Sequence, residues 1–494
     1  MNKEILSTIK EINNKKSKPP KACVVTFGCQ QNEADSERIK GMLSCMGYDI
    51  IDADMTSDIT GVRGKYNESE KNKNSPLASC SVIIMNTCAV REHAELKAFS
   101  RTGQLKHYKN KNKDLVIGIC GCMVEQEHVL DYIKKSFPYV DFVFGTRSIN
   151  KFPEIFFETL NAKKRVLRKE NIIEDIIDED IPVRRDSSFK AWVSVMYGCD
   201  NFCSYCVVPY VRGRERSRSK DKILEEMREL ISEGYKDITL LGQNVNSYKD
   251  PVNPNYTFTD LLGDIVKIDG DYWIRFLTSH PKDVPDRLIT LMGETEKLAK
   301  HFHLPVQAGS DRILKAMNRK YTRENYLESM RKLKETVKDI SLSSDIIIGF
   351  PGETEEDFKE TLDIIEKAEF DNIFPFIYSK RKNTPAEKME DKTSRKEKTD
   401  RFARLIKLQN EISVKKNKEY VGKTVKVIVE SEYKNENDNN NGNQGENKYL
   451  AGRSSTYKLV IFEGKTDLIG SFVNVKINEG KLHGLYGEIV NFNK

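Results

Sequence analysis

The stretch WVSVMYGCDNFCSYCVVPYVRGRERSR, residues 192–218, begins as a predicted strand and continues as a loop with three cysteines. Cys199, Cys203 and Cys206 have the spacing C-x3-C-x2-C, and no fourth Cys or His follows nearby. A four-iron cluster is normally held by four thiolates, so three ligands in one loop predict a cluster with one iron open to an external chelator. The alternatives are a conventional electron-transfer cluster and a zinc site, although zinc prefers paired C-x2-C or His-completed tetrahedra.

Strand-like segments recur after this loop, with helical patterns between them. The strand-like segments are WVSVM, DITLL, WIRFL, FHLPV, SSDIII and NIFPFI, and the helical ones include 222–233, 284–293, 323–337 and 354–368. Alternation of strands and helices indicates a parallel sheet covered by helices. Residues 187–420 are therefore predicted to form an open, partial (β/α)6 barrel.

A second α/β pattern precedes the cysteine loop and predicts a doubly wound parallel-sheet domain over residues 22–160. Its strand-like segments are ACVVTF (22–27), VIIMN (82–86), LVIGI (115–119) and VDFVF (140–144). Cys29, Cys88 and Cys122 follow the first three of these segments. Because the carboxyl ends of parallel strands line one crevice, the three thiolates can converge on a second cluster.

The N-terminal residues 1–21, MNKEILSTIKEINNKKSKPPK, lack the apolar core and cleavage site of a secretory signal. They are interpreted as a solvated extension that can be helical. The longest apolar run, Leu115 to Val124, is about half of a membrane span. We therefore expect a cytoplasmic protein without membrane contact.

In a reducing cytosol the ten cysteines are expected to be ligands or small buried side chains rather than disulfides. Cys120 is the nearest competitor of Cys122 for a ligand role. The remaining three, Cys23, Cys45 and Cys80, are expected to be structural, with Cys45 a small buried side chain in a helix.

The C-terminal part of the chain changes pattern. Residues 394–418 predict a charged helix with Phe402, Leu405, Ile406 and Ile412 on one side. From 421 to 494 short strand-like pieces and Gly-rich turns predict a small β-barrel. The polar segments 61–79 and 434–447 are interpreted as surface insertions. Residues 161–186 are interpreted as a linker whose IIEDII core can add an edge strand.

The balance of 81 Lys+Arg against 75 Asp+Glu, a net charge of +6, is too small to predict nucleic-acid binding by itself. Local clusters are more informative: residues 211–220 carry five basic residues against one acidic, and residues 393–423 carry ten against four. Such runs are usually solvated faces, but beside the cysteine loop and a small barrel they suit a groove that follows RNA phosphates. Arg212, Arg214 and Arg216 are the predicted RNA contacts. Among the histidines only His280, at a strand end, is a candidate site residue.

The cysteine loop resembles the signature of the radical S-adenosylmethionine (SAM) superfamily. Together with Cys29, Cys88, Cys122 and the C-terminal barrel, it makes residues 22–491 resemble the methylthiotransferase family. The segments CSYCVVPYVRGRERSR and LLGQNVNSY are most similar to the bacterial MiaB type. The resemblance implies a cluster domain, a radical SAM core and a C-terminal TRAM barrel.

The resemblance also implies the cofactors and their sites. Two [4Fe–4S] clusters are expected, one on Cys199, Cys203 and Cys206 and an auxiliary one on Cys29, Cys88 and Cys122. Gly242 and Gln243 stand where the family keeps a Gly-Gly-Glu-like methionine-binding turn for SAM, and this sequence departs from that pattern. Gly349 and Gly352 are expected to let the backbone approach the adenine or ribose of SAM.

The implied reaction is the addition of a methylthio group to C2 of N6-(dimethylallyl)adenosine at position 37, beside the tRNA anticodon. One SAM would methylate a sulfur held at the auxiliary cluster, and a second would supply the radical that removes the C2 hydrogen. The implied partners are the tRNA anticodon loop and an electron donor such as flavodoxin or ferredoxin, with the protein acting as a monomer.

Two alternatives remain at this point. One is a paralogous methylthiotransferase that acts on threonylcarbamoyl-adenosine in tRNA or on a ribosomal-protein aspartate. The other, from a different class, is a noncatalytic iron–sulfur sensor that binds RNA and uses its clusters only for structure. The open coordination predicted for the cysteine loop argues against the sensor.

Overall fold

The computed structural model describes residues 2–52, 75–90, 92–162, 164–167, 177–433 and 448–490. The chain forms two compact units. Unit 1 comprises Met1–Asp186, Tyr197–Asp200 and Cys206–Arg216, and unit 2 comprises Ser187–Met196, Asn201–Tyr205 and Ser217–Lys494. Most of the predicted insertion 61–79, the whole of 434–447 and most of the IIEDII segment lie outside the described residues.

Unit 1 contains a six-stranded parallel sheet with the strand order β2-β1-β3-β4-β5-β6. Its strands are β1 (Lys21–Phe27), β2 (Asp49–Ile50), β3 (Cys80–Thr87), β4 (Val116–Gly121), β5 (Phe142–Phe144) and β6 (Val166–Leu167). The four predicted strands and the doubly wound class are confirmed. The two-residue edge strands β2 and β6 are additions that the hydrophobic pattern did not predict.

Helices cover both faces of this sheet. They are α1 (Lys3–Asn14), α2 (Gln30–Cys45), α3 (Glu92–Lys111), α4 (Glu127–Ser136) and α5 (Phe152–Ala162). Alternate residues of the strands face opposite sides, so one core contains Val25 and Ile83 and the other contains Val24 and Ile84. Both faces are therefore buried, as expected of a parallel sheet.

The N-terminal segment is helical, but it is not a solvated extension. Leu6 and Ile9 of α1 are buried in the same core as Met46 and Phe156. The sequence expectation was wrong because the two apolar residues are three positions apart and fall on one helix face. That face completes the core of unit 1.

Unit 2 begins with the barrel strands. Two parallel three-stranded sheets, β7-β10-β11 and β12-β13-β14, are built from β7 (Lys190–Ser194), β10 (Asp237–Leu241), β11 (Trp273–Leu277), β12 (His301–His303), β13 (Ser341–Ile348) and β14 (Asn372–Ile377). An isolated parallel bridge joins Ile274 to Leu298. The two-residue strands β8 (Met196–Tyr197) and β9 (Arg216–Ser217) precede and follow the cysteine loop. All six predicted strands are present, which confirms the parallel α/β class of this core.

Short helices separate these strands. They are α6 (Val208–Arg212), which belongs to unit 1, and, in unit 2, α7 (Lys220–Ser232), α8 (Phe258–Ile265), α9 (Asp286–Glu294), α10 (Asp311–Ala316), α11 (Arg323–Thr336) and α12 (Glu355–Ala368). The four predicted helices are confirmed, whereas α6, α8 and α10 were not predicted because each spans only one or two turns. Thr322 and Thr354 form capping boxes at the first residues of α11 and α12, which fixes where these helices start.

The long helix α13 (Arg395–Lys418) corrects one expectation about its buried side. Leu405 is fully buried, but its neighbours on the buried stripe are polar: Arg401, Gln409, Ser413 and Asn417. Several of their polar atoms are hydrogen-bonded, such as Gln409 Nε2, which donates to the Phe370 carbonyl at 2.8 Å, whereas Gln409 Oε1 has no partner among the described residues. The four-residue spacing of this polar stripe could not be recognised as buried from hydropathy.

The C-terminal residues form the predicted small barrel. It is closed in the order β15-β16-β17-β19-β18, with β15 (Thr424–Glu432), β16 (Lys448–Ser454), β17 (Leu459–Gly464), β18 (Phe472–Lys481) and β19 (Gly484–Ile489). Val427, Val460, Val475 and Leu485 fill its interior. Among the described helices, none has the length together with the apolar character needed to cross a bilayer.

Candidate active site

The three cysteines of unit 1 stand where adjacent parallel strands end. Cys29 follows β1 and caps α2, Cys88 follows β3, and Cys122 follows β4. Since β1, β3 and β4 are neighbours in the sheet, the fold brings residues far apart in the sequence to one edge. This is the arrangement that the sequence predicted.

The thiols of this set interact directly. A hydrogen bond with Cys88 lowers the pKa of Cys29 to about 5, helped by the positive charge of Arg212. The same hydrogen bond and burial raise the pKa of Cys88, and Cys122 contributes to that rise. Burial raises the pKa of Cys122 to about 11, against the lowering effect of Arg212. Metal ligation requires thiolates. Binding of a cationic cluster would therefore displace the protons of these three neighbouring thiols.

Asparagines that sequence reasoning missed hold the strand ends together. Asn32 Nδ2 donates to Asn86 Oδ1 at 3.2 Å and to the Thr87 carbonyl at 3.1 Å, and its Oδ1 faces the Cys29 thiol at 3.4 Å. Asn86 Nδ2 returns a bond to the Asn32 carbonyl at 2.8 Å. Their only sequence signal was proximity to cysteines in GCQQN and NTC. Gly121, with φ of 102°, lies against the Thr87 backbone where no Cβ fits, so it sets the turn that presents Cys122.

Arg212 has to be reassigned. The sequence predicted an RNA contact, but its side chain is buried, with Nε 3.1 Å from Cys122 Sγ and Nη2 2.9 Å from an Asp35 oxygen. The run of positive charge predicted solvent exposure, and only the folded chain shows that Arg212, like Arg218 of the same run, is buried. Arg214 is 65% exposed and Arg216 is half-buried, so these two remain candidates for RNA contact.

The other cysteines of unit 1 differ in their solvent exposure. Cys23, Cys80 and Cys120 are buried, and burial raises the pKa of Cys80 to about 12. Cys45 is exposed at the last residue of α2, which corrects the expectation that it is a small buried side chain. An exposed cysteine remote from the strand ends is a better control for mutagenesis than a buried one.

In the C-x3-C-x2-C loop, the chain itself keeps Cys199, Cys203 and Cys206 within eight residues. Cys203 is buried, and its Sγ accepts a hydrogen bond from Arg319 Nη1 at 3.3 Å. Arg319 is in turn held by the Pro305 carbonyl at 2.8 Å from Nη2. Arg319 lies more than a hundred residues from the loop, so the sequence offered no signal for it. In the part of the chain that the structure describes, no group of three or more His, Cys, Asp or Glu side chains is placed to hold a single metal ion.

Unpartnered polar atoms mark the ends of β10 and β11. Gln243 Oε1, Asn244 Oδ1, Asn246 Nδ2 and His280 Nε2 are buried and have no hydrogen-bond partner among the described residues. Asn244 and Asn246 are additions to the predicted site. Because buried polar groups normally have partners, two acceptors and two donors here fit a polar ligand such as SAM.

The protonation of His280 follows from its contacts. Its Nδ1 accepts a hydrogen bond from the Lys282 amide at 3.3 Å, so the neutral ring carries its proton on Nε2. Burial and the charge of Arg319 lower its pKa to about 2. His280 therefore offers a neutral N–H donor rather than a positive charge.

Close packing within the protein is enough to explain why two of the residues predicted to bind SAM are glycines. At Gly242 a Cβ would meet the Met196 side chain, and at Gly349, with φ of 68°, it would meet Lys398. Gly352, with φ of 84°, faces more open space. Contact of these glycines and of Gln243 with SAM stays a prediction.

Comparison with known proteins identifies the family. The Radical SAM superfamily matches residues 193–365, the Uncharacterized protein family UPF0004 matches residues 55–145, and the TRAM domain matches residues 418–490. A tRNA-2-methylthio-N(6)-dimethylallyladenosine synthase of Acetivibrio thermocellus is 48% identical over 98% of this chain and 95% of its own. The chain belongs to this synthase family.

A second member of this synthase family, from Clostridium perfringens, is 48% identical over 95% of this chain and 97% of its own. Among solved structures, the radical SAM methyltransferase TsrM from Kitasatospora setae covers 74% of both chains with a TM-score of 0.52. Its sequence identity of 13% limits that likeness to the fold. Membership in the synthase family confirms the resemblance recognised in the cysteine motifs, and the radical SAM match implies SAM and a four-iron cluster.

Proposed function

We propose that this chain is a tRNA-2-methylthio-N6-dimethylallyladenosine synthase, a transferase that adds a methylthio group to C2 of N6-(dimethylallyl)adenosine at position 37 of tRNA. The observation that carries the proposal is the convergence of Cys29, Cys88 and Cys122 at adjacent strand ends of a chain that also holds the C-x3-C-x2-C loop. The sequence identity of 48% with proteins named as synthases, which extends over 95% or more of this chain, supports the same substrate.

The residues present fit the implied cofactors. Cys199, Cys203 and Cys206 would hold the radical SAM cluster, and Cys29, Cys88 and Cys122 an auxiliary [4Fe–4S] cluster. When bound, the clusters and SAM supply the radical and the sulfur chemistry, which no side chain could perform at an aromatic C–H carbon. The chain's own part is to hold thiolates, orient SAM and exclude water.

The turns that follow the barrel strands are proposed to orient SAM. His280 Nε2–H and Asn246 Nδ2–H are donors for acceptor oxygens of a ligand, and Gln243 Oε1 and Asn244 Oδ1 are acceptors for its N–H groups. Gly349 and Gly352 shape the second turn, where the Gly349 amide donates to Glu353 Oε2 at 2.7 Å. Arg401 pairs with the same carboxylate at 3.0 Å, which keeps this turn rigid.

The remaining partners follow from the chemistry. The tRNA anticodon loop would contact the TRAM barrel and the basic segment that follows the cysteine loop. One-electron reduction of a SAM-binding cluster requires an external donor such as flavodoxin or ferredoxin. We further propose that the protein works as a monomer in the cytoplasm.

The proposal is tested by an anaerobic assay with reconstituted protein, SAM, a reductant and tRNA that carries N6-(dimethylallyl)adenosine. Mass spectrometry of the digested nucleosides is expected to show the methylthio product from this tRNA. Unprenylated tRNA and tRNA carrying threonylcarbamoyl-adenosine serve as comparison substrates. Preferred conversion of the threonylcarbamoyl substrate would assign the chain to a paralogous activity.

RNA contact by Arg214 and Arg216 can be measured through the salt dependence of tRNA binding. Each Arg→Ala replacement is expected to reduce the log–log slope by roughly 0.7, the value for one lost single-strand phosphate contact. Arg331→Ala is the matched control, because Arg331 is an exposed arginine on α11 paired with Glu328 and Glu335. An unchanged slope for both variants would exclude these arginines from the RNA interface.

A further inference from the structure

The guanidinium of Arg212 is a buried cation within the cysteine set of unit 1. The side chain is only 5% exposed, and its Nε/Nη2 edge donates to two acceptors, a cysteine sulfur and a carboxylate oxygen. Nε donates to Cys122 Sγ at 3.1 Å, and Nη2 donates to an Asp35 oxygen at 2.9 Å. The ion pair with Asp35 thus aims the second donor at a predicted cluster ligand.

The backbone that carries Arg212 is locked in place. Val207 and Val211 pack with Ala89 and Cys122 in a small apolar cluster. The Val211 carbonyl accepts a hydrogen bond from Thr146 Oγ1 at 2.8 Å. These contacts hold α6 against the strand ends, so the position of the guanidinium does not depend on a flexible side chain alone.

The sequence position of Arg212 is also informative. It lies six residues after Cys206, the last cysteine of the C-x3-C-x2-C loop. One short segment of unit 1 therefore runs from a ligand of the radical site to a hydrogen-bond donor at the other cysteine set.

We propose that Arg212 is a positioning residue that sets the reduction potential of the auxiliary cluster, by donating a hydrogen bond to Cys122 and placing a fixed positive charge beside it. This inference rests on the auxiliary cluster of the proposed function. Reduction adds negative charge to a cluster, and N–H donors and cations at its sulfur ligands favour the reduced form. Burial strengthens the effect because the local dielectric is low.

The sign of the effect can be tested in both directions. Arg212→Gln removes the charge and keeps an N–H donor, so the potential should fall. Asp35→Asn removes the opposing charge, so the potential should rise. Arg212→Lys keeps the charge but not the forked geometry, and should shift the potential less than Arg212→Gln. Arg214→Gln, an exposed neighbour in the same segment, should leave the potential unchanged.

The experiment uses the full chain with Cys199, Cys203 and Cys206 replaced by alanine, so that only the auxiliary cluster contributes. A potentiometric titration followed by visible absorbance and EPR gives its midpoint, and iron content and thermal melting confirm equal loading and folding. For Arg212→Gln we expect at least a tenfold weakening of the one-electron reduction equilibrium, which is a shift of about 59 mV.

Three results would overturn the inference, and they are distinguishable. An unchanged midpoint in a normally loaded Arg212→Gln variant would remove the role of Arg212 and leave the auxiliary cluster standing. Shifts of the same sign in Arg212→Gln and Asp35→Asn would mean that both act through structure rather than charge. Failure of the alanine-substituted parent to bind iron would overturn the auxiliary cluster of the proposed function, and the inference with it.

Discussion

Replacement of Cys88 by alanine is expected to abolish formation of the methylthio product while reductive cleavage of SAM continues. Cys88 follows β3 between the strands that present Cys29 and Cys122, and it forms the hydrogen bond that lowers the pKa of Cys29. Its removal takes away one of the three predicted thiolate ligands. The C-x3-C-x2-C loop keeps all of its own ligands, so the proposed site of radical generation is intact.

The measurement compares two products from one reaction. Mass spectrometry of digested prenylated tRNA reports methylthio transfer, and chromatography of 5′-deoxyadenosine reports SAM cleavage. Cys45→Ala is the matched control, because Cys45 is exposed at the end of α2 and a surface change costs within about 0.5 kcal/mol. Wild-type product from Cys88→Ala would refute the auxiliary assignment. Loss of product from Cys45→Ala with normal iron content would show that the wrong cysteines have been chosen.

Replacement of Cys199, Cys203 and Cys206 together is expected to remove all SAM cleavage and about half of the bound iron. Two four-iron clusters correspond to about eight irons per chain, of which about four would remain on the strand-end cysteines. No SAM cleavage should survive, because the remaining cluster is not expected to start radical chemistry. The variant should therefore also make no methylthio product.

Iron analysis after anaerobic reconstitution, together with the 5′-deoxyadenosine assay, checks this expectation. Cys120→Ala is the control, since Cys120 is buried two residues from Cys122 and is not a predicted ligand. It should keep the full iron content. A wild-type protein that saturates near four irons would contradict the two-cluster proposal, and SAM cleavage by the triple variant would place radical generation elsewhere.

The same variants separate an enzyme from a noncatalytic iron–sulfur RNA-binding protein. A cluster that serves only structure should show no change in its EPR spectrum when SAM is added. The unpartnered atoms of Asn244, Asn246 and His280 favour a site that binds a polar ligand. Perturbation of the wild-type spectrum by SAM, lost in the triple cysteine variant, is the result that the proposed function requires.

Local patterns predicted most of the fold because the relevant signals lie within a few residues of each other. Alternating strand and helix segments predicted the parallel sheets of both units, and short strands with Gly-rich turns predicted the closed barrel. Hydropathy patterns failed where a helix buries polar side chains or only a few apolar ones. The buried stripe of α13 is mostly polar and largely hydrogen-bonded, and the buried face of α1 consists of Leu6, Ile9 and the polar Asn13.

The sequence by itself determined the six candidate cluster cysteines, since three share one loop and the other three follow strands whose carboxyl ends must meet in a parallel sheet. Only the tertiary structure decided what surrounds them. Arg212 turns inward to Cys122 and Asp35, and Arg319 reaches Cys203 from more than a hundred residues away. Strand periodicity is a local property of the chain, whereas the partner of a buried charge depends on which distant segments the fold brings within hydrogen-bonding distance.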